Sequence, residues 1–313
     1  AMDYFDIASK FGSLDEAMAV VRSKILVISF SSDWLYPPYF SEDITYALAR
    51  QRKNVTFCNI QSAYGHDAFL LEVNVLSKII GGFLDHTKNP DLVRSQVLET
   101  DSEADVPPPA AAMDNIYEGN RVDYDTIVNL VEKDSRVLDI GCGDGELLCR
   151  LIASKNVHAM GLEVSQGSVV SCIRRGISVV QADIDRGLSA LPDGSFDYVI
   201  LSMTLQVIRK PDLALKEMMR VGKKCIVSFP NFGHWRVRWL TAFGGRAPVT
   251  RNLPYAWYQT LNRHVLSIHD FRNLCADLSA RIEKEVPLYV EGEARFWPNL
   301  FAEEALYVIS HDE

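Results

Sequence analysis

The sequence predicts an α/β fold in which helices cover both faces of a mostly parallel sheet. Short apolar runs alternate with segments of helical period along most of the chain, which is typical of repeated strand–helix units. One of these runs leads into a glycine-rich turn with a helix directly after it. Apolar residues make up 48% and charged residues 23% of the 313 residues, an ordinary globular composition in a chain long enough for two domains.

The first segment, residues 1–96, contains two predicted strands and three predicted helices. The strands are expected at 25–30 and 55–60, and the helices near 14–21, 41–50 and 67–84. Two parallel strands cannot bury both of their faces alone. We therefore expect this segment either to be part of a larger domain or to lean on something outside this sequence.

An acidic and then proline-rich stretch, residues 97–112, is predicted to be a linker. The second domain, residues 113–313, alternates strands and helices and ends in two strands that we expect to pair as an antiparallel hairpin. Its strands are predicted at 136–140, 158–162, 178–181, 198–201, 225–229, 283–288 and 305–310. Its helices are predicted at 145–154, 167–174, 212–221 and near 269–278.

The glycine-rich turn follows the strand at 136–140 and has the spacing Gly141-Cys142-Gly143-Asp144-Gly145. Glycine lets the backbone turn sharply and approach a ligand closely, and the helix start presents free N–H groups. The dinucleotide fingerprint requires GxGxxG and holds a pyrophosphate. Here the spacing is GxGxG, and the carboxylates of Asp139 and Asp144 would repel a diphosphate. They suit S-adenosylmethionine, which carries an ammonium, a sulfonium and a ribose diol.

Glu163 ends the next strand, where an acid can accept hydrogen bonds from both ribose hydroxyls. Asp183 ends the strand after that, where it can accept from the adenine amino group. In this order and spacing the motifs resemble class I S-adenosylmethionine-dependent methyltransferases. The fourth predicted strand leads to Ser202, where a methyl acceptor would face the sulfonium and where Thr204 and Gln206 could orient it. The full cofactor set implied in this way is Asp139, Gly141, Gly143, Glu163, Asp183 and Ser202.

A third motif interleaves aromatic residues and arginines from 228 to 264. Such a surface can stack bases, bind an anionic substrate or form a protein interface, or its aromatics simply cover the edge of the sheet. We assign a candidate acceptor or partner site to Asn231, His234, Trp235 and Arg236, together with Gln206. Over residues 113–290 this motif and the glycine loop resemble MetW proteins of methionine biosynthesis.

In the first segment, Asp33 follows one predicted strand and His66 the next, the order in which an α/β-hydrolase carries its acid and histidine. The alternative is a surface acid and a loop histidine. Residues 26–38 and 64–70 resemble the C-terminal part of homoserine O-acetyltransferases of the MetX family, over roughly residues 1–88. The resemblance implies that Asp33 and His66 complete a Ser–His–Asp triad and that Asp67 contacts homoserine. No GxSxG nucleophile elbow is present, so this chain alone is expected to lack acyltransferase activity.

These resemblances together indicate the C-terminal portion of an α/β-hydrolase followed by a Rossmann-like methyltransferase domain, a MetX–MetW fusion. The implied ligands are L-homoserine and acetyl-CoA for the complete acyltransferase, and S-adenosylmethionine or S-adenosylhomocysteine for the second domain. The partner is then the rest of the MetX domain or a MetX-like protein, and a homodimer stays open. The alternatives are an active methyltransferase acting on a small molecule or protein, and a non-catalytic sensing or docking module.

The net charge, the apolar stretches and the cysteine spacing limit which partners and which cellular compartment we expect. The net charge of −9 argues against nucleic acid, which needs a cationic surface, and no apolar stretch is long enough to cross a membrane. The six cysteines lack any CxxC or zinc-like spacing, so no metal site is predicted and reduced thiols in the cytoplasm are expected.

Overall fold

A computed structural model describes residues 6–88, 121–289, 292–293 and 296–311. The predicted linker at 97–112 lies outside these ranges. The first segment contains α1 (Leu14–Ala19), β1 (Ile25–Phe30), α2 (Pro38–Arg50), β2 (Val55–Ile60), a 3-10 turn (Gly65–Asp67), α3 (Ala68–Leu71) and α4 (Val73–Lys88).

The second segment begins with a helix and then alternates strands and helices. Its first half contains α5 (Val122–Leu130), β3 (Arg136–Ile140), α6 (Glu146–Lys155), β4 (His158–Glu163), α7 (Gln166–Arg174), β5 (Val179–Gln181), a 3-10 turn (Ile184–Arg186) and β6 (Phe196–Ser202). Its second half contains α8 (Pro211–Val221), β7 (Gly222–Pro230), α9 (Trp235–Ala242), α10 (Ile268–Asp277), β8 (Ala280–Tyr289), β9 (Gly292–Glu293), α11 (Pro298–Phe301) and β10 (Glu304–His311).

The described strands form one sheet of ten strands in the order β1-β2-β5-β4-β3-β6-β7-β10-β8-β9. Strands β1 to β7 are all parallel, whereas β10 runs antiparallel to both β7 and β8. The expectation of a mostly parallel sheet with a terminal antiparallel hairpin is confirmed. The carboxyl ends of the seven parallel strands therefore lie along a single edge, which is where ligands bind in such sheets.

The two segments share this sheet and both of its apolar cores. Strand β2 pairs with β5 at Phe57 and Val180. On one face, Leu48 and Phe57 pack in a core with Leu138 and Val180. We expected the first segment to be a part of something larger or to lean on something outside this sequence. In the structure the second segment fills this role. The strand β5 pairs with β2, and residues of both segments pack together on each face of the sheet. The division into residues 1–96, 97–112 and 113–313 stays a prediction.

The opposite face of the junction is packed by helices from both segments. Cys58, Ile60 and Ile79 belong to a core that also contains residues of α7. Helix α4 lies so close to α7 that a Cβ built on Gly82 would stand 3.0 Å from the Cα of Arg174. The ring Nε2 of His86 lies 2.6 Å from the carbonyl oxygen of Arg174. A larger residue at 82 would force these helices apart.

Candidate functional site

The glycine loop between β3 and α6 has the tight geometry that its sequence predicts. Gly141, Gly143 and Gly145 have φ angles of +70°, +56° and +84°, a region that side-chain-bearing residues rarely adopt. A Cβ at Gly141 would meet the Thr204 hydroxyl oxygen at 2.8 Å, so the loop packs directly on the turn after β6. Helix α6 begins at Glu146, which leaves the first N–H groups of the helix at the loop.

A cavity of about 490 Å³ opens at the carboxyl ends of β3, β4, β5 and β6. Its size is in the range of roughly 300–1,000 Å³ that takes small-molecule ligands. The structure brings together all six residues that the sequence assigned to a cofactor site, and Thr204 also lines this cavity. These six residues are Asp139, Gly141, Gly143, Glu163, Asp183 and Ser202.

Glu163 is held in place by the backbone around it. One carboxylate oxygen accepts hydrogen bonds from the N–H groups of Val164 and Ser165, at 2.7 and 2.9 Å. The other accepts from the N–H of Gly143 in the glycine loop, at 2.9 Å. This side chain therefore ties the end of β4 to the glycine loop across the floor of the cavity.

Asp139 is fully buried at the end of β3, and its Oδ1 atom has no hydrogen-bond partner among the described residues. Burial raises the pKa of this carboxyl to about 8, with Arg121 opposing the shift and Glu163 and Asp123 adding to it. An unpartnered buried acceptor is costly unless a ligand supplies a donor. The position thus suits a cationic hydrogen-bond donor such as an ammonium group.

Arg121 and Asp123 form a buried network that the sequence interpretation missed. The Arg121 guanidinium donates to both carboxylate oxygens of Asp123, at 3.1 Å each, and also to the hydroxyl of Ser202. Asp123 also accepts from the hydroxyls of Ser202 and Ser228. Burial disfavours its ionisation, but the Arg121 charge outweighs this and holds the Asp123 pKa low. The sequence signal that could have identified this network is an arginine followed two positions later by an aspartate, at the start of the helix just before β3.

Arg121 and Tyr124 line the cavity, so the missed helix α5 closes one of its walls. By contrast, the charge of Asp144 is already compensated, because the Arg175 guanidinium lies 2.5 Å from its carboxylate. Asp183 lines the cavity and accepts the N–H of Asp185 at 2.9 Å, which begins the 3-10 turn after β5. Asp139, in contrast, has an Oδ1 atom with no hydrogen-bond partner among the described residues.

The candidate acceptor residues after β6 and β7 do not line this cavity. Gln206 is fully buried and donates to the Met203 carbonyl at 2.7 Å. Asn231 is also buried, and its side chain fixes the loops after β7 and α11 by donating to the Ala302 carbonyl and accepting from the Gly233 N–H.

His234 and Arg236 line a separate small cavity together with Asn231. Burial lowers the pKa of His234. Trp235, the first residue of α9, is largely exposed and has the Arg236 guanidinium over its ring at 5.3 Å. The structure therefore separates these four residues from the glycine-loop cavity, and their role as an acceptor or partner site stays a prediction.

The acid and histidine of the first segment meet at the carboxyl ends of β1 and β2. His66 Nδ1 lies 3.0 Å from Asp33 Oδ2, while Asp33 Oδ1 accepts the N–H groups of Leu35 and Tyr36 at 2.9 and 3.0 Å. Burial opposes ionisation of Asp33, but these N–H groups and His66 outweigh it and lower its pKa. No described residue hydrogen-bonds to His66 Nε2. Asp67 is exposed beside it.

Such a pair has the arrangement of a triad acid and histidine, in which the carboxylate fixes the tautomer and the outer nitrogen meets a nucleophile. Because β1, β2, β4 and β3 are parallel in one sheet, the pair and the glycine-loop cavity open on the same sheet edge. Among the described residues, no helix is both long and apolar enough to span a bilayer.

The strand order, the glycine loop and the acids at the strand ends define a Rossmann-like fold of the class I methyltransferase type. Within that class, residues 121–309 match the sequence model of the family described as "Methionine biosynthesis protein MetW". The chain belongs to the MetW family.

Curated relatives match both segments. The chain is 34% identical over 308 residues to the "Bifunctional methionine biosynthesis protein MetXA/MetW" of Rhodopirellula baltica, covering 96% of this chain and 46% of that protein. A homoserine O-acetyltransferase of Methanosarcina acetivorans is 50% identical over 93 residues, which are 30% of this chain and 17% of that protein. The matches to homoserine O-acetyltransferases fall on the N-terminal part. The chain spans less than half the length of these relatives.

Solved structures of similar fold include a chain from the complex between the Haloferax volcanii Trm112 methyltransferase activator and a methyltransferase. It has a TM-score of 0.48 and 16% identity, and the match covers 65% of this chain and 96% of that one. A SAM-dependent methyltransferase from Archaeoglobus fulgidus has a TM-score of 0.47 and 16% identity, covering 64% of this chain and 99% of that one.

Proposed function

We propose that the glycine-loop cavity binds S-adenosylmethionine or S-adenosylhomocysteine. The observation that carries the proposal is the buried Asp139 Oδ1, an acceptor without a donor at the glycine loop. The ligand ammonium supplies that donor. The Arg121 guanidinium, held by Asp123 inside the cavity, suits the ligand carboxylate, and Glu163 at the end of β4 suits the ribose diol. Asp183 then lies toward the adenine amino group.

This site is tested by calorimetric titration of the chain with S-adenosylhomocysteine. Glu163→Ala should weaken binding by roughly 10- to 100-fold, because a charge-assisted hydrogen bond contributes about 1.5–3 kcal/mol. Glu163→Gln keeps the shape of the side chain and should weaken binding less. Glu283→Ala removes an exposed glutamate on β8 and serves as the matched control, with no expected effect. Equal affinity for Glu163→Ala and the unaltered chain would contradict the assignment.

We further propose that the first segment belongs to a homoserine O-acyltransferase that takes acetyl-CoA and L-homoserine in the cytoplasm. The Asp33–His66 geometry and the identity to homoserine O-acetyltransferases support this role. Asp67, which is exposed beside His66, would pair with the substrate ammonium. The nucleophile comes from the rest of the MetX domain or from a MetX-like partner, because the sequence has no GxSxG elbow.

The chain alone should therefore fail to acetylate homoserine. Loss of the nucleophile costs on the order of 10⁶-fold in turnover in a serine hydrolase. The assay follows acetyl-CoA consumption with L-homoserine, and a protein that carries the complete acyltransferase domain is the positive control. In that longer protein, His66→Ala should abolish turnover, and His269→Ala, which alters an exposed histidine of α10, should not. Robust turnover by the chain alone would exclude this account.

We also propose that the cofactor site biases the acyltransferase, and the hydrogen bonds between the two sites support this. The Gln181 side chain accepts the N–H of Asn59 at 2.8 Å and donates to the carbonyl of Val164 at 3.2 Å. The Gln166 side chain accepts the N–H of Gln61 at 2.9 Å. These two amides join β2 and the loop before His66 to the turn that begins with Glu163.

A methyl-transfer reaction is the second candidate, because the cavity reaches Ser202, Met203 and Thr204 at the end of β6, where a methyl acceptor would face the sulfonium. Met203 has a φ of +52°, a strained conformation of the kind that clusters at functional sites. Transfer of labelled methyl from S-adenosylmethionine to a small molecule or protein separates an enzyme from a sensing module. Binding without transfer favours the sensing role.

A further inference from the structure

A second cavity lies where the two segments meet, on the face of the sheet that α2 covers. Its volume is about 250 Å³, which is below the roughly 300–1,000 Å³ of cavities that take drug-sized ligands. Helix α2 forms one wall with Glu42, Tyr46 and Ala49, and the turn after β5 forms another. The cavity therefore exists only when both segments are present, and its size suits a small metabolite.

The floor of this interface cavity is apolar. It consists of side chains from β3, β4 and β5 and from the loop that follows the 3-10 turn at 184–186. The main floor residues are Leu138, Met160, Leu162, Val180, Leu188 and Leu191. Such a floor removes an apolar group of the ligand from water, which favours binding.

The walls carry charges of both signs that do not neutralise each other. Glu42 and Arg186 both line the cavity. Neither side chain forms an ion pair or hydrogen bond with another described residue, although both lie near enough to Tyr46 to shift its pKa in opposite directions. Burial is the larger cause of the raised Tyr46 pKa. In one small cavity, a carboxylate can pair with a cationic group of a ligand while a guanidinium pairs with an anionic group of the same ligand.

We propose that this interface cavity binds a zwitterionic α-amino acid with a small apolar side chain. The ligand ammonium pairs with Glu42, its carboxylate with Arg186, and its side chain lies on the apolar floor. Glu42 and Tyr46 are one helical turn apart on α2, and both line this cavity. Such a ligand contacts both segments at once and stabilises their junction.

The cavity also adjoins the glycine-loop cavity, because Leu162, Ala182 and Asp183 line both. Amino acid binding should therefore change the affinity for S-adenosylhomocysteine, and S-adenosylhomocysteine should change amino acid affinity by the same factor. This linkage rests on the proposed cofactor site, whereas amino acid binding itself does not.

The test is calorimetric titration of the full chain with L-methionine and L-norleucine, which share an ammonium, a carboxylate and an unbranched apolar side chain. Both should bind, and Glu42→Gln and Arg186→Gln should each weaken binding by at least about tenfold, since each removes one charge-assisted contact. Asp43→Asn makes the same charge change on an exposed neighbour in α2 and should leave binding unchanged. N-acetyl-L-methionine, which lacks the ammonium, should bind no better to the unaltered chain than to Glu42→Gln.

Several outcomes would overturn the proposal. These are the absence of binding by both amino acids, binding by Glu42→Gln and Arg186→Gln as tight as that of the unaltered chain, or loss of amino acid binding in Asp139→Asn. The last would show that the amino acid occupies the glycine-loop cavity through its ammonium. A failure of S-adenosylhomocysteine to bind, with amino acid binding intact, would contradict the proposed function and leave this inference standing.

Discussion

At the residue scale, Asp139 decides which charge the glycine-loop cavity accepts, because its carboxyl lines that cavity and is fully buried. Burial raises the pKa of its carboxyl to about 8; Arg121 opposes this shift, and the neighbouring acids Glu163 and Asp123 add to it. Without a ligand the carboxyl is mostly protonated at neutral pH. A bound ammonium favours the ionised form, so binding should release a proton.

This pKa predicts a pH-dependent affinity. Below about pH 8 only the ionised fraction of Asp139 pairs with an ammonium, so affinity for S-adenosylhomocysteine should rise by up to about tenfold for each pH unit from 6 to 8. Asp139→Asn should remove most of this slope. The α-amino group of the ligand also titrates, and comparing the two proteins cancels that contribution. Titrations in buffers of different ionisation enthalpy measure the proton release, and an identical slope in both proteins would contradict this role.

The same shift has a consequence for stability. The folded-state pKa of Asp139 lies above the unfolded value of 3.8, so the folded protein holds an extra proton between these two values. The stability from this group is fully present below pH 3.8 and is lost as the pH rises through about 8. The free energy of unfolding of Asp139→Asn should therefore fall less than that of the unaltered chain between pH 5 and pH 9. Urea denaturation at the two pH values measures the free energy of unfolding of each protein. An equal loss of stability in the two proteins would contradict this contribution of Asp139.

At the element scale, local sequence patterns predicted most strands. The strands at 25–30, 55–60 and 136–140 were placed at their observed bounds, because each is a short apolar run bounded by polar or turn residues. The predicted helix at 67–84 is instead a 3-10 turn and two helices that break at Glu72. Its apolar residues continue across the break, so their spacing does not reveal it.

Other elements lacked a periodic signal or depended on distant residues. Helix α9 has a single buried residue, Val237, and so shows no apolar stripe in its sequence. The pairing of β2 with β5 joins residues more than a hundred positions apart, and nothing in either strand's own sequence specifies it. The acids that line the glycine-loop cavity could be predicted because they stand at the ends of strands. Arg121 could not, because its place beside Ser202 depends on contacts between distant parts of the chain.

The β2–β5 junction predicts a shared unfolding transition. Phe57 is buried at the junction and packs in a core formed by both segments. Phe57→Ala should lower the free energy of unfolding by roughly 3–5 kcal/mol. Phe69→Ala, at an exposed position of the first segment, should change it little. Urea denaturation followed by tryptophan fluorescence and by circular dichroism should give one coincident transition in each protein. Two separate transitions would contradict the shared core.

At the scale of the whole molecule, one parallel sheet places a histidine–acid pair and a glycine-loop cavity along the same edge. The Gln181 and Gln166 side chains connect them through the backbone of β2 and the turn after β4. A ligand that rearranges the contacts of Glu163 thus has a physical route to the loop that carries His66. The family of the chain was accessible from the sequence, but this route was not, because it depends on the β2–β5 pairing.

The route predicts that S-adenosylhomocysteine changes the affinity for homoserine in a protein carrying the complete acyltransferase domain. The double variant Gln166→Leu with Gln181→Leu should reduce that change while leaving the binding of each ligand alone within about threefold. Gln51→Leu and Gln61→Leu alter two other glutamines of the first segment, whose side chains are not in this network, and serve as controls. Calorimetric titration of homoserine with and without S-adenosylhomocysteine measures the coupling. An undiminished change in the double variant would contradict the route.

The most direct test of the central claim is hydrogen–deuterium exchange of the chain with and without S-adenosylhomocysteine. Occupation of the glycine-loop cavity predicts slower exchange in the peptides that cover residues 137–147 and 161–168, with smaller protection at 202–209. Residues 235–242 of α9 should be unaffected. Protection confined to the aromatic segment around α9, or no protection at saturating ligand, would contradict the account.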